Sequence, residues 1–292
     1  MRFTPLIGAA ALLFASLAQV ASATPLVNKG ETVAFMGDSI TQFGAQSSGG
    51  YVHLVESGLA ANGIDIKIIP AGISGNKSDQ MLARLDGQVL KKKPEWMTLS
   101  CGVNDVWHGE RGVPLEAYKK NITEIVNRCE KAGVKVMILT STQISLPVTN
   151  ANNVKLADYN AFLHALAKER NLPLADLNDD MAAQQEAFKA AGINRSLTVD
   201  GVHMNTYGNI MMAKGVLSAF GLDAAQLATA EKQWQSIPDA VQLTSKVKLS
   251  IPESEALEAL AASRKQSVDT LLTEQVTASL KSILSESKAG KR

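Results

Sequence analysis

The chain has little cysteine, few aromatic residues, no excess of either charge and, beyond its first two dozen residues, no long apolar run. Each shortage excludes something. Two cysteines, Cys101 and Cys129, in 292 residues cannot build a disulfide framework. The elements read below put Cys101 at the top of a strand and Cys129 late in the helix that runs back down. Two ordinary thiols, at least one of them buried, are therefore expected rather than a bridge. Lys and Arg number 29 against 28 Asp and Glu, and setting Arg2 aside with the leader leaves 28 of each. A neutral chain lacks the basic face that phosphate backbones require, which argues against nucleic acid as a partner. No segment after the N-terminus is apolar for long enough to cross a bilayer. Phosphate-binding signatures are missing too. "GAQSSGGY" (44–51) has loop glycines without the lysine of a P-loop, and no G-x-G-x-x-G follows the first strand.

What is present begins with a leader. Arg2 precedes the apolar run "PLIGAAALLFASLAQV" and then Ala21-Ser22-Ala23, a small-x-small pattern. Residues 1–23 read as a cleavable signal peptide, so the mature protein is expected to be secreted or periplasmic. Strand and helix patterns then alternate. Strands are expected at 32–37, 64–72, 95–102, 134–141 and 172–176. Helices are expected at 50–63, 78–93 with Ser78 as N-cap, 114–133, 153–171, 178–191 and 206–220. Alternation of this kind means βαβ units, hence a parallel α/β sheet with helices on both faces. Ligands in such folds bind beyond the carboxyl ends of the strands.

From about 222 the composition shifts, and Trp234 is the last aromatic residue. Residues 241–251 alternate apolar and polar, as an edge strand or extended arm would. Ser250 and Glu253 have capping-box spacing. Leu257, Leu260, Val268, Leu271, Leu272, Val276, Leu280 and Ile283 then recur at helical intervals. The reading is a core domain over 24–221 and a C-terminal extension over 222–292. The extension carries one long amphipathic helix that packs on its own domain or joins two copies into a homodimer.

The loops after the strands carry the chemistry. Strand one ends in Gly37-Asp38-Ser39-Ile40. Strand two is followed by "AGISGNKS", with Gly72 and Gly75, and strand three by "GVNDVWHG", with Asn104. Before the last core helix comes "VDGVHMNTYG", with Asp200 and His203. A serine hydroxyl needs a base to become a nucleophile. Of four histidines, His53 and His164 lie within helical patterns as surface or packing residues. His108 lies in the loop after strand three. His203 has an acid three residues earlier, so Asp200 can accept from one imidazole nitrogen while the other faces Ser39. Three neutral donors suit a developing oxyanion: the backbone N–H of Ser39, the backbone N–H of Gly72, and the Asn104 side-chain amide. Asp200 and His203 lack a third ligand at fixed spacing, so no metal site is expected. Thr41 stands where a G-x-S-x-G elbow needs its second glycine, which argues against an α/β-hydrolase arrangement.

Together, "GDSI" (37–40), Gly72 in "AGISG", Asn104 in "GVND" and "DGVH" (200–203) resemble the four blocks of the SGNH hydrolases, or GDSL esterases/lipases. Ile40 replaces the usual leucine of the first block. The resemblance covers about 32–220. It implies a three-layer α/β/α flavodoxin-like fold, Ser39 as nucleophile, His203 as base and Asp200 as third triad member. It also implies an oxyanion hole of Ser39, Gly72 and Asn104, and no cofactor. It says nothing about the chain after 222.

The loops at 41–50, 74–78, 104–112 and 141–153 are polar, unlike the apolar acyl channel or lid of a long-chain lipase. Trp107 and His108 can offer a stacking face and a donor to a sugar ring, although Trp107 can equally pack under its loop. The expected activity is removal of O-acetyl groups from carbohydrate through an acyl-serine. The alternatives are a periplasmic lysophospholipase or thioesterase and, in another class, an inactive carbohydrate-binding or scaffolding module. Asn76, Asn121 and Asn194 begin N-x-S/T sequons, which matter only in a host that glycosylates its exports.

Overall fold

A computed structural model describes residues 24–238, 240–241 and 247–289. The expected leader, 1–23, and residues 242–246 of the expected arm lie outside them. The chain divides into two compact units, Met1–Gln242 and Leu243–Arg292.

The first unit runs β1 (Thr32–Gly37), α1 (Ser39–Gly44), α2 (Tyr51–Ala61), β2 (Lys67–Gly72), α3 (Ser78–Gln88), β3 (Trp96–Ser100), α4 (Val103–Trp107) and α5 (Leu115–Lys131). It continues through β4 (Lys135–Leu139), α6 (Ala151–Arg170), β5 (Leu174–Ala175), α7 (Leu177–Ala190), α8 (Thr206–Ala219) and α9 (Ala224–Trp234). The five strands are parallel and ordered β2-β1-β3-β4-β5. This is the expected three-layer α/β architecture with flavodoxin-like strand order. β1 and β3 are near-continuous apolar runs because both faces of the sheet are covered. α2, α8 and α9 pack together in one helical layer, and α3, α5 and α6 in the other. The chain leaves β1 for β2 on one side and returns to β3 on the other. The reversal falls between β1 and β3, beyond whose carboxyl ends folds of this kind bind their ligands.

Several expected boundaries move. Ser78 is the first residue of α3 rather than its cap. Lys77 takes the cap position and donates its N–H to Gln80 Oε1 (3.0 Å), while Ser78 is buried with its hydroxyl on Asp105. Cys101 and Cys129 are both buried free thiols. Burial in apolar surroundings pushes Cys129 up to about 12.

The core unit extends past the boundary expected at 221 because α9 belongs to it. Asp223 starts that helix, accepting from the N–H groups of Ala225 (3.0 Å) and Gln226 (2.9 Å), while Gln226 Oε1 accepts from the Asp223 N–H (2.9 Å). α9 then lies on α2. Trp234 is buried and donates its indole N–H to Leu54 O (2.9 Å).

In the second unit the expected single helix is two, α10 (Ile251–Ser263) and α11 (Val268–Ala289). The Ser250 N–H reaches Glu253 Oε2 (2.7 Å), as the spacing of that pair implies. The break follows from Lys265, at φ +57°, and from Ser267, whose hydroxyl accepts the Thr270 N–H (3.1 Å) and starts a new helix.

Candidate active site

Only Asp38 separates the end of β1 from the start of α1, because its Oδ1 accepts the Ile40 N–H (2.9 Å) and turns the chain directly into a helix. Ser39 is the first residue of that helix, at the carboxyl edge of the sheet. The loop before α8 brings Asp200 and His203. Asp200 Oδ1 accepts from the backbone N–H groups of Val202 (3.0 Å) and His203 (2.8 Å), an Asx turn that folds the loop around its own carboxylate. The loop is pinned by Ser145 N–H on Gly201 O (2.7 Å) and Val199 N–H on His203 O (2.9 Å).

The other carboxylate oxygen, Asp200 Oδ2, lies 2.5 Å from His203 Nδ1, and His203 Nε2 lies 2.9 Å from Ser39 Oγ. An ionised carboxylate only accepts, so Nδ1 carries the proton and Nε2 is left to accept from the serine hydroxyl. Partial burial pushes the Asp200 carboxyl up. Hydrogen bonds from the His203 ring and from the His203 and Val202 N–H groups outweigh that and hold it below its ordinary value.

Asn104 sits in α4, after β3. Its amide donates to Asp38 Oδ2 (3.1 Å) and to Asn76 O (3.2 Å), which aims the nitrogen rather than the oxygen toward the Ser39 loop. Asp38 therefore has two tasks that its place in "GDS" does not announce: one oxygen starts α1 and the other holds Asn104. It is almost fully buried. Burial raises its pKa to about 6; nearby Asp105 adds to the rise, and the Ile40 N–H and His203 oppose it.

The two glycines of the second loop stand in different surroundings. A Cβ on Gly72 would stand 2.3 Å from Gln42 N and 2.7 Å from Thr41 C, so Gly72 is a glycine because the backbone of α1 lies against it. Gly75 has φ +75° and nothing within 4 Å of where its Cβ would be, so its surroundings are open.

Trp107 and His108 are exposed at the end of α4. Trp107 is 43% exposed, too open for a residue that packs under its own loop. His53 is held within its own region by Glu56 (3.1 Å) and Ala45 O (3.1 Å), and His164 meets Asp176 (3.1 Å) at the surface. Sequence reasoning passed over Phe43. Its ring centroid lies 5.0 Å from that of His203, and its spacing from Ser39, one helical turn, was the available signal.

A serine, an imidazole and a carboxylate in hydrogen-bonded line, with an amide fixed beside the serine's loop, is the apparatus of acyl transfer. The GDSL-like lipase/acylhydrolase family model matches residues 35–209. The chain belongs to that family. It is an SGNH/GDSL-type carboxylic ester hydrolase, and its nearer relatives are esterases. It is 27% identical over 217 residues to the acetylxylan esterase of Geobacillus stearothermophilus, a match spanning 68% of this chain and 97% of the relative. The crystal structure of that esterase, Axe2, superimposes with a TM-score of 0.60 at 25% identity, covering 68% of this chain and 97% of Axe2. The crystal structure of the acetyl xylan esterase AlAXEase gives a TM-score of 0.60 at 33% identity, covering 64% of this chain and 98% of that one. Esterase TesA of Pseudomonas aeruginosa is 29% identical over 168 residues, 57% of this chain and 81% of the relative. Among the described residues of this GDSL hydrolase, no helix is long and apolar enough to cross a membrane.

Proposed function

We propose that this GDSL hydrolase is an exported carbohydrate O-acetylesterase working through an acyl-Ser39 intermediate. The observation that carries the mechanism is the unbroken line Ser39–His203–Asp200, at 2.9 Å and 2.5 Å. Ser39 Oγ attacks the ester carbonyl while His203 Nε2 takes its proton. The imidazolium, stabilised by Asp200, passes that proton to the leaving alcohol. Water, deprotonated by the same nitrogen, then releases the acyl group. The oxyanion is met by the Ser39 N–H, the Asn104 amide and a backbone N–H of the loop from Gly72 to Gly75. Gly75, in open surroundings, is the better candidate than Gly72, which is packed on α1. Each well-placed donor contributes about 3 kcal/mol to the transition state.

The acetyl-on-sugar reading draws on the polar loops that follow the strands, on Trp107 exposed at the end of α4, and on the two acetylxylan esterases that this chain matches along almost their whole length. Export rests on the leader at 1–23. Self-association through α11, whose Val276, Leu280 and Ile283 are exposed, is the remaining part of the proposal.

The likeness to thioesterase 1/protease 1/lysophospholipase L1 of Escherichia coli, 30% identical over 107 residues (37% of this chain, 48% of the relative), supports a second reading, a lysophospholipase or thioesterase. One panel separates the two: acetate release from acetylated polysaccharides, run beside p-nitrophenyl esters of graded length. The deacetylase releases polysaccharide acetate and prefers acetyl to octanoyl esters. Faster cleavage of octanoyl esters with no acetate release replaces it with the second reading.

A further inference from the structure

Arg84 lies in the middle of α3, outside every motif that pointed to the site. Its guanidinium donates from Nη2 to Gly37 O (2.8 Å), from Nη1 to Ala71 O (2.7 Å) and Gln88 Oε1 (2.5 Å), and from Nε to Asn76 Oδ1 (2.7 Å). Three of these acceptors occupy informative places. Gly37 ends β1, directly before Asp38 and Ser39. Ala71 is the penultimate residue of β2, directly before the loop from Gly72 to Gly75. Asn76 presents its own backbone carbonyl to the Asn104 amide (3.2 Å). One planar cation therefore touches the root of the nucleophile loop, the root of the glycine loop, and the residue against which Asn104 rests.

We propose that Arg84 is a positioning residue, a brace that fixes the three oxyanion-donor loops relative to one another. The proposal rests on reading Ser39 as the nucleophile and Asn104 as a donor. The β1–β2 ladder stops at the Gly37–Gly72 pair, so the sheet no longer sets the spacing where the loops begin. Gly37 O accepts the last bond from the far side, from Ile73 N–H (3.1 Å), and the guanidinium on the same oxygen continues the connection. The fork geometry is needed. Arginine offers five N–H donors in one plane, whereas lysine offers three from a single point and cannot span three separated acceptors. Bonds from a charged donor are also stronger than neutral ones, as a brace across three loops requires.

The test uses the full chain, p-nitrophenyl acetate as substrate and a p-nitrophenyl alkylphosphonate as inactivator, with Arg84→Lys, Ser39→Ala, Asn104→Ala and the Arg84→Lys/Asn104→Ala double variant. Arg84→Lys lowers kcat about tenfold, leaves KM within about twofold and slows phosphonate inactivation by the same factor as kcat/KM. In the Asn104→Ala background the same substitution costs about threefold or less, because part of what it would misplace is already gone. An unchanged kcat in folded Arg84→Lys, a loss confined to KM, or the full tenfold loss in the Asn104→Ala background each overturns the brace. Should Arg84→Lys fail to fold, Asn76→Ala removes one acceptor while leaving the strand carbonyls in place. It is expected to lower kcat about fivefold, and no loss there overturns the proposal. A Ser39→Ala protein that keeps its activity or still takes up phosphonate overturns the reading of the site itself, and the brace with it.

Discussion

The inner and outer halves of the site are built differently. The inner half, Asp38, Ser39 and Asn104, is fixed where β1 and β3 end and is buried against the core. The outer half, Asp200 and His203, hangs on a loop, with side chains 48% and 25% exposed. The two carboxylates show what this does. Asp38, out of water, is pushed up to about 6, whereas Asp200, bonded and half-exposed, is held below its ordinary value. The carboxylate that meets the His203 imidazole stands where water and N–H groups support its charge. A carboxylate that only holds neighbours in place can stand where ionisation is costly.

Three measurements break or sharpen that contrast. The largest effect belongs to Ser39, where the halves meet. Ser39→Ala should cut kcat/KM at least about a thousandfold while leaving the melting temperature nearly unchanged, since one hydroxyl is lost and no packing. A collapse of stability would mean that Ser39 holds the halves together rather than reacting between them.

The next is electrostatic. Asp38 binds its proton more tightly folded than unfolded, with about 6 against an ordinary 3.8. Its stabilising contribution is therefore complete below the unfolded value and is lost as pH rises through about 6. Stability should fall by about 3 kcal/mol across that window through this group. Asp200, shifted the other way, acts only at lower pH. Denaturant titrations of wild type and Asp38→Asn at pH 4 and pH 6.5 check this, and a slope that survives in Asp38→Asn assigns the effect to other carboxyls.

The smallest expected effect is on the second loop. Gly72→Ala forces a methyl into the backbone of α1, which should cost about 1–3 kcal/mol of stability. If neither stability nor activity changes, the backbone of α1 does not press on Gly72 as described.

The sheet and most of its helices were legible because buried strands and amphipathic helices announce themselves by periodicity. Ser39, Asp200 and His203, which the structure brings into one hydrogen-bonded line, could be singled out because each stands just after a strand or before a helix. Gly72 was legible as a glycine the fold requires, but two close glycines in one loop differ only by what lies against them, and α1 is invisible before the chain is folded. Asp38 was hidden because an acid before a serine also suits an ordinary turn. Arg84 was hidden because an arginine within a helix reads as a solvated face. The break at Ser267 was masked by apolar spacing that runs across it, and α9 by a composition shift just ahead of it.

The two borders of the sheet are blunt. β5 is only two residues long, and Pro70, on β2, has no N–H to give to an incoming chain. Another polypeptide in extended form therefore finds little template along either margin.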